Sequence, residues 1–245
     1  MRSAIISIKN ILLNILFPPL CLACGSDLDA PDAMLCESCF DRIDRNITLV
    51  CPVCGRRLGE NRAVCDHGER DRSAFPYLLG AAGWYDDPII RASIHAYKYG
   101  GVHAAARPLA NLLTDYTNDL HPRPAVFLND PLVIPVPIHA KKERKRGFDQ
   151  SKLVATEYAA LTGLRYADAL KKINYNDPQA KTKTHEARFA NIANAFIVPD
   201  PSLIAGRNII LIDDVFTSGA TMSEAAQTLK AAGAKKILAL VIAKA

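Results

Sequence analysis

From Phe75 onward the chain alternates short apolar runs with longer stretches of helical periodicity. Leu78–Tyr85 reads as a strand, and Asp87–Tyr99 and His103–Leu120 as helices. The first helix opens on Asp-Asp-Pro, a carboxylate that can cap the first turn and a proline suited to it. Leu132–Val136 is a short buried strand, followed by a cluster of cations and a helix from about Gln150 to Leu161. Ile209–Ile212 is a second buried strand. A helix from about Thr221 to Ala232 then ends at Gly233, and Ile237–Ile242 is a last strand. Strands separated by helices predict an α/β domain with a mainly parallel sheet. Ligands of such sheets bind beyond the carboxyl ends of the strands.

The segment Ala4–Leu20 follows a different pattern. It is apolar but interrupted by Lys9, Asn10 and Asn14, and Ile5, Ile8, Leu12, Ile15 and Leu16 share one helical face. The expectation is a helix covering the body of the protein, with peripheral membrane contact as the alternative. A secretory signal would have a cleaner apolar core and small residues before its cleavage site. No apolar stretch reaches the about 18 residues of a membrane span, and a cytoplasmic location is expected.

The hydrophobic fraction of 49% and charged fraction of 22% are those of a globular protein, not a disordered one. Charge becomes informative when divided along the chain. Residues 1–72 carry 9 Lys+Arg against 10 Asp+Glu, and residues 73–245 carry 21 against 15. The run Lys141, Lys142, Glu143, Arg144, Lys145, Arg146 supplies +4 of the second balance of +6. So local an excess points to a phosphate site rather than a generally basic surface.

All seven cysteines lie between Cys21 and Cys65. A disulfide-stapled protein would not leave its larger domain bare, so metal binding under reducing conditions is the better reading. Cys21-x2-Cys24, eleven residues, then Cys36-x2-Cys39 is the spacing of a four-cysteine zinc site. Gly25 suits the left-handed turn of such a knuckle. A second set, Cys51-x2-Cys54-Gly55, reaches Cys65 after ten residues, and the expected fourth cysteine is Gly68. His67 is the nearest substitute, giving a three-cysteine, one-histidine site; the alternative is a degenerate ribbon with Cys65 spare and His67 on the surface. Four protein ligands leave no open coordination position, so such zinc is structural.

The strongest chemical signal is Ile209-Ile-Leu-Ile-Asp213-Asp214-Val-Phe-Thr217-Ser218-Gly219-Ala220-Thr221. Four aliphatics carry two adjacent carboxylates to the sheet edge, and a loop of small residues enters a helix. Loop amides, hydroxyls and the helix N-terminus make an anion cradle, and the carboxylates suit the hydroxyls of a ribose 5-phosphate. No G-x-G-x-x-G or Walker-type G-x4-G-K-[ST] occurs, which argues against dinucleotide and ATP-motor functions. The segment resembles the PRPP-binding motif of type I phosphoribosyltransferases. That resemblance implies that Asp213 and Asp214 hold the ribose diol and that Thr217, Ser218, Gly219, Ala220 and Thr221 hold the 5-phosphate. Phe216 departs from the small aliphatic usual in that motif.

A finer resemblance covers nearly the whole chain. Phe17-Pro-Pro-Leu-Cys21-Leu-Ala-Cys24-Gly, Cys51-Pro-Val-Cys54-Gly, Ile94-His-Ala-Tyr-Lys98-Tyr-Gly, Val136-Pro-Ile-His-x5-Lys145-Arg146-Gly147-Phe148-Asp149-Gln150-Ser151 and Lys181-Thr-Lys-Thr184-His-x2-Arg188-x2-Asn191-x3-Ala195-Phe196 are similar to the ComF family, with Asp149 where that family usually has Asn. The resemblance implies a double zinc ribbon joined to a type I phosphoribosyltransferase domain, and a link to DNA uptake in natural competence. The expected division is an N-terminal helix and ribbon module over residues 1–72 and the larger domain over 73–245.

Pro135-Val-Pro137 ends a strand where type I enzymes keep their pyrophosphate loop. A mobile cationic loop bearing Arg144 and Arg146, with Lys98 in reach, would stabilise the departing pyrophosphate. His139, Thr184 and Arg188 are further candidates. Two functions follow. One is transfer of ribose 5-phosphate from PRPP, with Mg2+ on the pyrophosphate, to an unknown acceptor. The other is non-catalytic: a single-stranded-DNA-binding or PRPP-sensing protein that uses the fold as a scaffold. In either case the expected partners include single-stranded DNA and DNA-uptake machinery at the inner membrane.

Overall fold

A computed structural model describes residues 19–28, 33–59, 65, 67, 74–99, 105–120, 129–174 and 185–245, without the side chains of 99 and 185–188. The segment Ala4–Leu20 lies almost wholly outside these residues, as do Lys181–Thr184.

Eight strands and seven α-helices of the described residues are, in chain order, α1 (Glu37–Asp41), β1 (Leu49–Val50), β2 (Leu78–Trp84), α2 (Pro88–Tyr99), α3 (Ala106–Asp119), β3 (Leu132–Pro135), α4 (Ala140–Arg146), α5 (Gln150–Thr162), β4 (Arg165–Tyr166), β5 (Lys171–Lys172), α6 (His185–Ile192), β6 (Phe196–Ile197), β7 (Ile209–Phe216), α7 (Ala220–Ala231) and β8 (Ile237–Lys244). The main sheet has the order β1-β2-β8-β7-β3-β4 and is parallel except for β1, which pairs antiparallel with β2. β5 and β6 form a separate antiparallel ribbon. The fold is a mixed α/β domain with a mostly parallel sheet, as the alternation of runs predicts.

Alternating side chains of the central strands feed two apolar layers. Ile210, Ile212, Leu238, Leu240 and Ile242 face α2, α3 and α5, while Ile209, Leu211, Ile237, Ala239 and Val241 face α7. Full burial of each such aliphatic contributes about 1.5–3 kcal/mol. This two-sided burial explains why the central strands read as continuous apolar runs.

The cysteine-rich segment is built into this body. Cys21, Leu28, Met34, Cys39 and Ile43 are buried in the same layer as α2 and α3. β1 joins the edge of the main sheet, with Leu49 opposite Gly80 and Val50 opposite Leu79. Asn46, 1% exposed, donates through Nδ2 to the carbonyls of Thr48 and Ala81, and Tyr116 Oη donates to Thr48 O at 2.7 Å.

Two details differ from the sequence expectation. β7 continues through Phe216, because β8 pairs with it as far as Lys244. The carboxylates therefore sit within the strand and not beyond it. The basic run is also ordered as helix α4 rather than a mobile loop. His139 Nδ1 accepts the Lys141 N–H at its start, and Gly147, at φ 84°, closes it with an N–H bond to Glu143 O.

Candidate PRPP site and paired zinc knuckles

The two cysteine-x2-cysteine turns are near copies. In the first, Cys21 N–H donates to Ser26 O and Gly25 N–H to Cys21 O, with Gly25 at φ 74°; in the second, Cys51 N–H donates to Arg56 O and Gly55 N–H to Cys51 O, with Gly55 at φ 73°. Each turn brings two sulfurs together, the first of the pair buried and the second exposed. The ligand atoms of Cys21, Cys24, Cys36 and Cys39 all lie within 4.8 Å of one another, and so do those of Cys51, Cys54, Cys65 and His67. The Cys24–Cys36 and Cys54–Cys65 Sγ separations are both 3.8 Å. That is far beyond a disulfide, and it is the spacing of sulfurs about 2.3 Å from a shared tetrahedral zinc. Both donor sets fit structural Zn2+, and His67 stands where the missing cysteine would be.

At the carboxyl edge of the main sheet, five elements converge. β7 supplies Asp213 and Asp214. β3 runs beside it, with Pro135 opposite Ile212 and the Val136 N–H donating to Ile212 O at 2.8 Å. The segment that follows β3 therefore leaves the sheet next to Asp213. Asp149 fixes that segment: one carboxylate oxygen accepts the Ile138 N–H at 2.9 Å and the other accepts the Lys152 N–H at 3.1 Å, capping α5. An Asn could fill only one of these acceptor positions with oxygen. Burial pushes the Asp149 carboxyl up, against the pull of the two amides.

α5 then places Ser151 so that its Oγ donates to Asp213 Oδ1 at 2.8 Å. α2 brings Lys98, whose Nζ lies 2.8 Å from Asp214 Oδ2; the two side chains are 21% and 13% exposed. Tyr97 Oη donates to Gln150 O at 2.7 Å, tying the helix that carries Lys98 to the one that carries Ser151. The Asp213 carboxyl is pushed up to about 7 by burial and by the neighbouring Asp214 charge, against the Ser151 hydrogen bond and the Lys98 charge.

The turn after β7 carries the remaining motif residues into the N-terminus of the twelve-residue helix α7. Thr217 is exposed, Ser218 buried and Thr221 half-buried, so the hydroxyls occupy different depths around one turn. Gly219 caps the helix at φ 78°. A Cβ there would lie 2.6 Å from the Phe216 ring and 2.9 Å from the Phe75 ring. The departure at Phe216 thus has a structural counterpart: its ring lies directly against the glycine. The Ala220 N–H donates to Ser218 Oγ at 3.5 Å, and the first N–H groups of a helix point out of its end, where they can meet an anion.

α4 divides its cations by face. Lys141, Arg144 and Lys145 are exposed, whereas Lys142 and Arg146, four residues apart, are half-buried. Arg146 Nη1 donates to Gln150 Oε1 at 3.0 Å. Burial, then the Arg146 charge, pushes the Lys142 ammonium down. Arg144, expected beside Arg146, faces outward. His139 caps α4. Thr184 and the Arg188 side chain lie outside the described residues.

One residue at the site has little signal in the sequence: Ser151 is visible only as the last letter of a family motif, and its hydrogen bond to Asp213 joins segments 62 residues apart.

A double zinc ribbon domain model matches residues 12–68 and a phosphoribosyl transferase domain model matches residues 149–245. The DNA utilization protein YhgH of Escherichia coli O6:H1 is 29% identical over 161 residues, covering 61% of this chain and 65% of that protein. Competence protein F of Haemophilus influenzae is 25% identical over 165 residues, covering 66% of this chain and 71% of that protein. Competence protein ComFC of Bacillus subtilis is 32% identical over 98 residues, covering 40% and 38%. The match thus spans just under two thirds of the YhgH length. Among solved structures, a glutamine phosphoribosylpyrophosphate amidotransferase from B. subtilis aligns with a TM-score of 0.42 at 20% identity, over 60% of this chain and 30% of that one. The chain thus matches a double zinc ribbon domain model and, further along, a phosphoribosyl transferase domain model, the pairing that the resemblance to the ComF family implies.

Proposed function

We propose that the α/β domain binds PRPP and that the protein acts in DNA utilization or uptake, as the names of its relatives indicate for those proteins. The observation that carries the PRPP reading is the convergence of Asp213 and Asp214 with Lys98, Ser151 and the amide-rich turn at α7, all at the carboxyl edge of one parallel sheet. Asp213 and Asp214 accept from the 2- and 3-hydroxyls of the ribose. Thr217 to Thr221 hold the 5-phosphate through amides and hydroxyls, with the dipole of α7 adding to the attraction. Arg146 and Lys142 face the pyrophosphate from α4, and Arg144 belongs to the outer surface.

Mg2+ enters with PRPP, as the counter-ion its diphosphate chelates. Among the described residues, only the two cysteine clusters gather donors for a resident metal. The proposed transfer needs no covalent nucleophile from the chain. Transfer of the ribosyl group would therefore depend on positioning and charge neutralisation alone. The same geometry serves a protein that senses PRPP without turning it over.

Calorimetry with PRPP tests the reading. Charged hydrogen bonds to hydroxyls contribute about 1.5–3 kcal/mol each. The Asp213→Ala, Asp214→Ala double change should therefore weaken binding by on the order of a hundredfold or more. Equal affinities for wild type and double variant would contradict the ribose grip.

The second reading, single-stranded DNA binding, is favoured by one observation: Lys141, Arg144 and Lys145 are exposed on α4, whereas Lys142 and Arg146 are half-buried. Cations in that position serve a partner other than the substrate of the pocket.

A further inference from the structure

The two cysteine turns share a backbone but meet different surroundings. Gly25 and Gly55 have nearly the same positive φ, 74° and 73°. A Cβ built on Gly25 would meet nothing within 4 Å, whereas one on Gly55 would lie 2.9 Å from Lys244 Nζ and 3.1 Å from Lys244 Cε. Turn conformation is the reason for glycine at the first position. At the second, the Lys244 side chain lies against the glycine as well. The second knuckle also touches the carboxyl end of β2, where the Arg57 guanidinium stands 5.6 Å from the centre of the Trp84 ring. It therefore rests on the same sheet edge that carries the candidate site.

Lys244 ends β8 between two neighbours, opposite Trp84 of β2 and opposite Phe216 of β7. Its backbone surroundings are fixed on both sides. The Tyr85 N–H donates to Lys244 O at 2.8 Å, and the Ala245 N–H donates to Phe216 O at 2.9 Å. Lys244 Nζ donates to Ala245 O at 3.0 Å. Phe216 is 3% exposed, and its ring comes within 2.6 Å of the Cβ position of Gly219, the residue that opens α7. Close-packed interiors are little compressible and transmit displacement. Gly55, Lys244, Phe216 and Gly219 are thus successive members of one packed path, from the turn of Cys51 and Cys54 to the turn of Thr217–Thr221.

We propose that Lys244 is a positioning residue that couples the second zinc site to the phosphate turn, so that zinc and a phosphate ligand raise each other's affinity. The inference rests on the reading of that turn as a 5-phosphate cradle, and it gives the second ribbon a regulatory role beside its structural one. The knuckle itself is the two-state element, because structural zinc binding is coupled to folding of the segment that carries the ligands. With zinc bound, Gly55 is held against Lys244. Without zinc, that support is released and Phe216 loses a fixed neighbour beyond Lys244. Coupling between two sites is reciprocal, and it typically amounts to about 5–150-fold in affinity. The first knuckle, with open space beside Gly25, lies off this path.

Zinc affinity is the readout. The full chain, loaded with zinc, is titrated to equilibrium with a zinc-chelating indicator, alone and with saturating ribose 5-phosphate or inorganic phosphate. His67→Ala identifies the second site, because only that site loses a ligand. Ribose 5-phosphate should tighten second-site zinc by about fivefold or more, and first-site zinc by less than about twofold. Lys244→Ala should keep both zincs by elemental analysis, bind ribose 5-phosphate, and lose the tightening. Phe216→Leu cuts the path at its other end, should give the same result, and decides alone if Lys244→Ala fails to fold. Equal tightening at both sites would overturn the coupling, by showing that the ligand stabilises the whole fold. Tightening that survives in Lys244→Ala would overturn it too. Ribose 5-phosphate that binds by calorimetry but tightens neither zinc would overturn the coupling and leave the PRPP reading standing. Tightening by inorganic phosphate in protein that does not bind ribose 5-phosphate would remove the ribose grip and keep the coupling. Binding of neither anion would overturn both.

Discussion

Lys98 Nζ lies 2.8 Å from Asp214 Oδ2, in a pair whose side chains are 21% and 13% exposed. The contact joins the end of α2 to the motif strand and neutralises one of two adjacent carboxylates. Removing one partner of a fully buried pair costs about 3–5 kcal/mol, because the other charge is left without compensation. Residual exposure makes the cost here smaller, on the order of 1–3 kcal/mol. Lys98→Met should therefore lower the urea midpoint of the free protein, and adding Asp214→Asn should restore part of the loss. A double variant no more stable than Lys98→Met alone would show that the pair contributes little.

On the PRPP reading, Asp213 should make ligand binding depend on pH. Its carboxyl is pushed up to about 7 by burial and by Asp214, with Ser151 of α5 and Lys98 of α2 opposing. An aspartate in the unfolded chain titrates at about 3.9. With the folded value the higher of the two, ionising Asp213 works against the fold. Its contribution to stability is most favourable below about pH 4, declines as pH rises to about 7, and is constant above that. Ribose binding has the opposite sign, because the hydroxyls need an ionised acceptor. Between pH 8 and pH 6, ribose 5-phosphate affinity should fall by roughly tenfold, the change in the ionised fraction around such a value. The ligand's own second ionisation, near pH 6, adds to the curve. Asp213→Asn supplies the comparison: the part of the profile due to Asp213 should vanish in it. Superimposable profiles for the two proteins would refute the assignment.

Zinc and the α/β domain should unfold together. Cys51 follows Val50 directly, and Val50 is paired with Leu79 in the main sheet. Cys21 and Cys39 are buried in the layer beneath α2 and α3. Elemental analysis of reduced protein should give two zincs per chain, and His67→Ala should give one. Structural zinc binding is coupled to folding, and about 1 kcal/mol corresponds to about 2–4 °C in a domain of this size. Chelation should therefore lower the melting temperature of the whole chain by on the order of 10 °C or more, in a single transition. An α/β domain that melts unchanged after zinc removal would show the ribbons to be energetically separate.

The sequence was most informative where one local rule acts alone. The central strands are buried on both sides and so appear as continuous apolar runs of Ile, Leu, Val and Ala. Gly25, Gly55 and Gly219 stand at turns with positive φ, where a side chain would be strained. Legibility ends where several distant segments meet. Ser151 and Lys98 reach Asp213 and Asp214 from two elements far apart in the chain, and no spacing encodes that meeting. α4 was hidden for a different reason. Five cations in six residues resemble a solvated loop, and the helix depends on an imidazole cap and a left-handed glycine at its two ends. The length of β7 depends on β8, whose pairing carries it past the carboxylates.

The two faces of α4 allow the leading functions to be tested on one helix. Lys141, Arg144 and Lys145 are exposed, and Lys142 and Arg146 are half-buried beside Gln150 and the site. A single strand of DNA bound to the outer face would release counterions as its phosphates are neutralised. Affinity then falls with salt at a log–log slope of about −0.7 per phosphate. Changing Lys141, Arg144 and Lys145 to Gln should flatten that slope by about two, if each cation meets one phosphate. PRPP affinity should stay within about twofold of wild type if the three exposed side chains serve only the outer face. The complementary pair, Lys142→Gln with Arg146→Gln, should weaken PRPP and leave the salt slope as it was. Labelled-oligonucleotide titrations at several salt concentrations, run beside PRPP calorimetry on the same preparations, read both effects. A salt slope unchanged in the outer-face triple variant would remove DNA from α4. A loss of PRPP affinity in that same variant would show that the outer cations reach the pocket and that the helix has one function, not two.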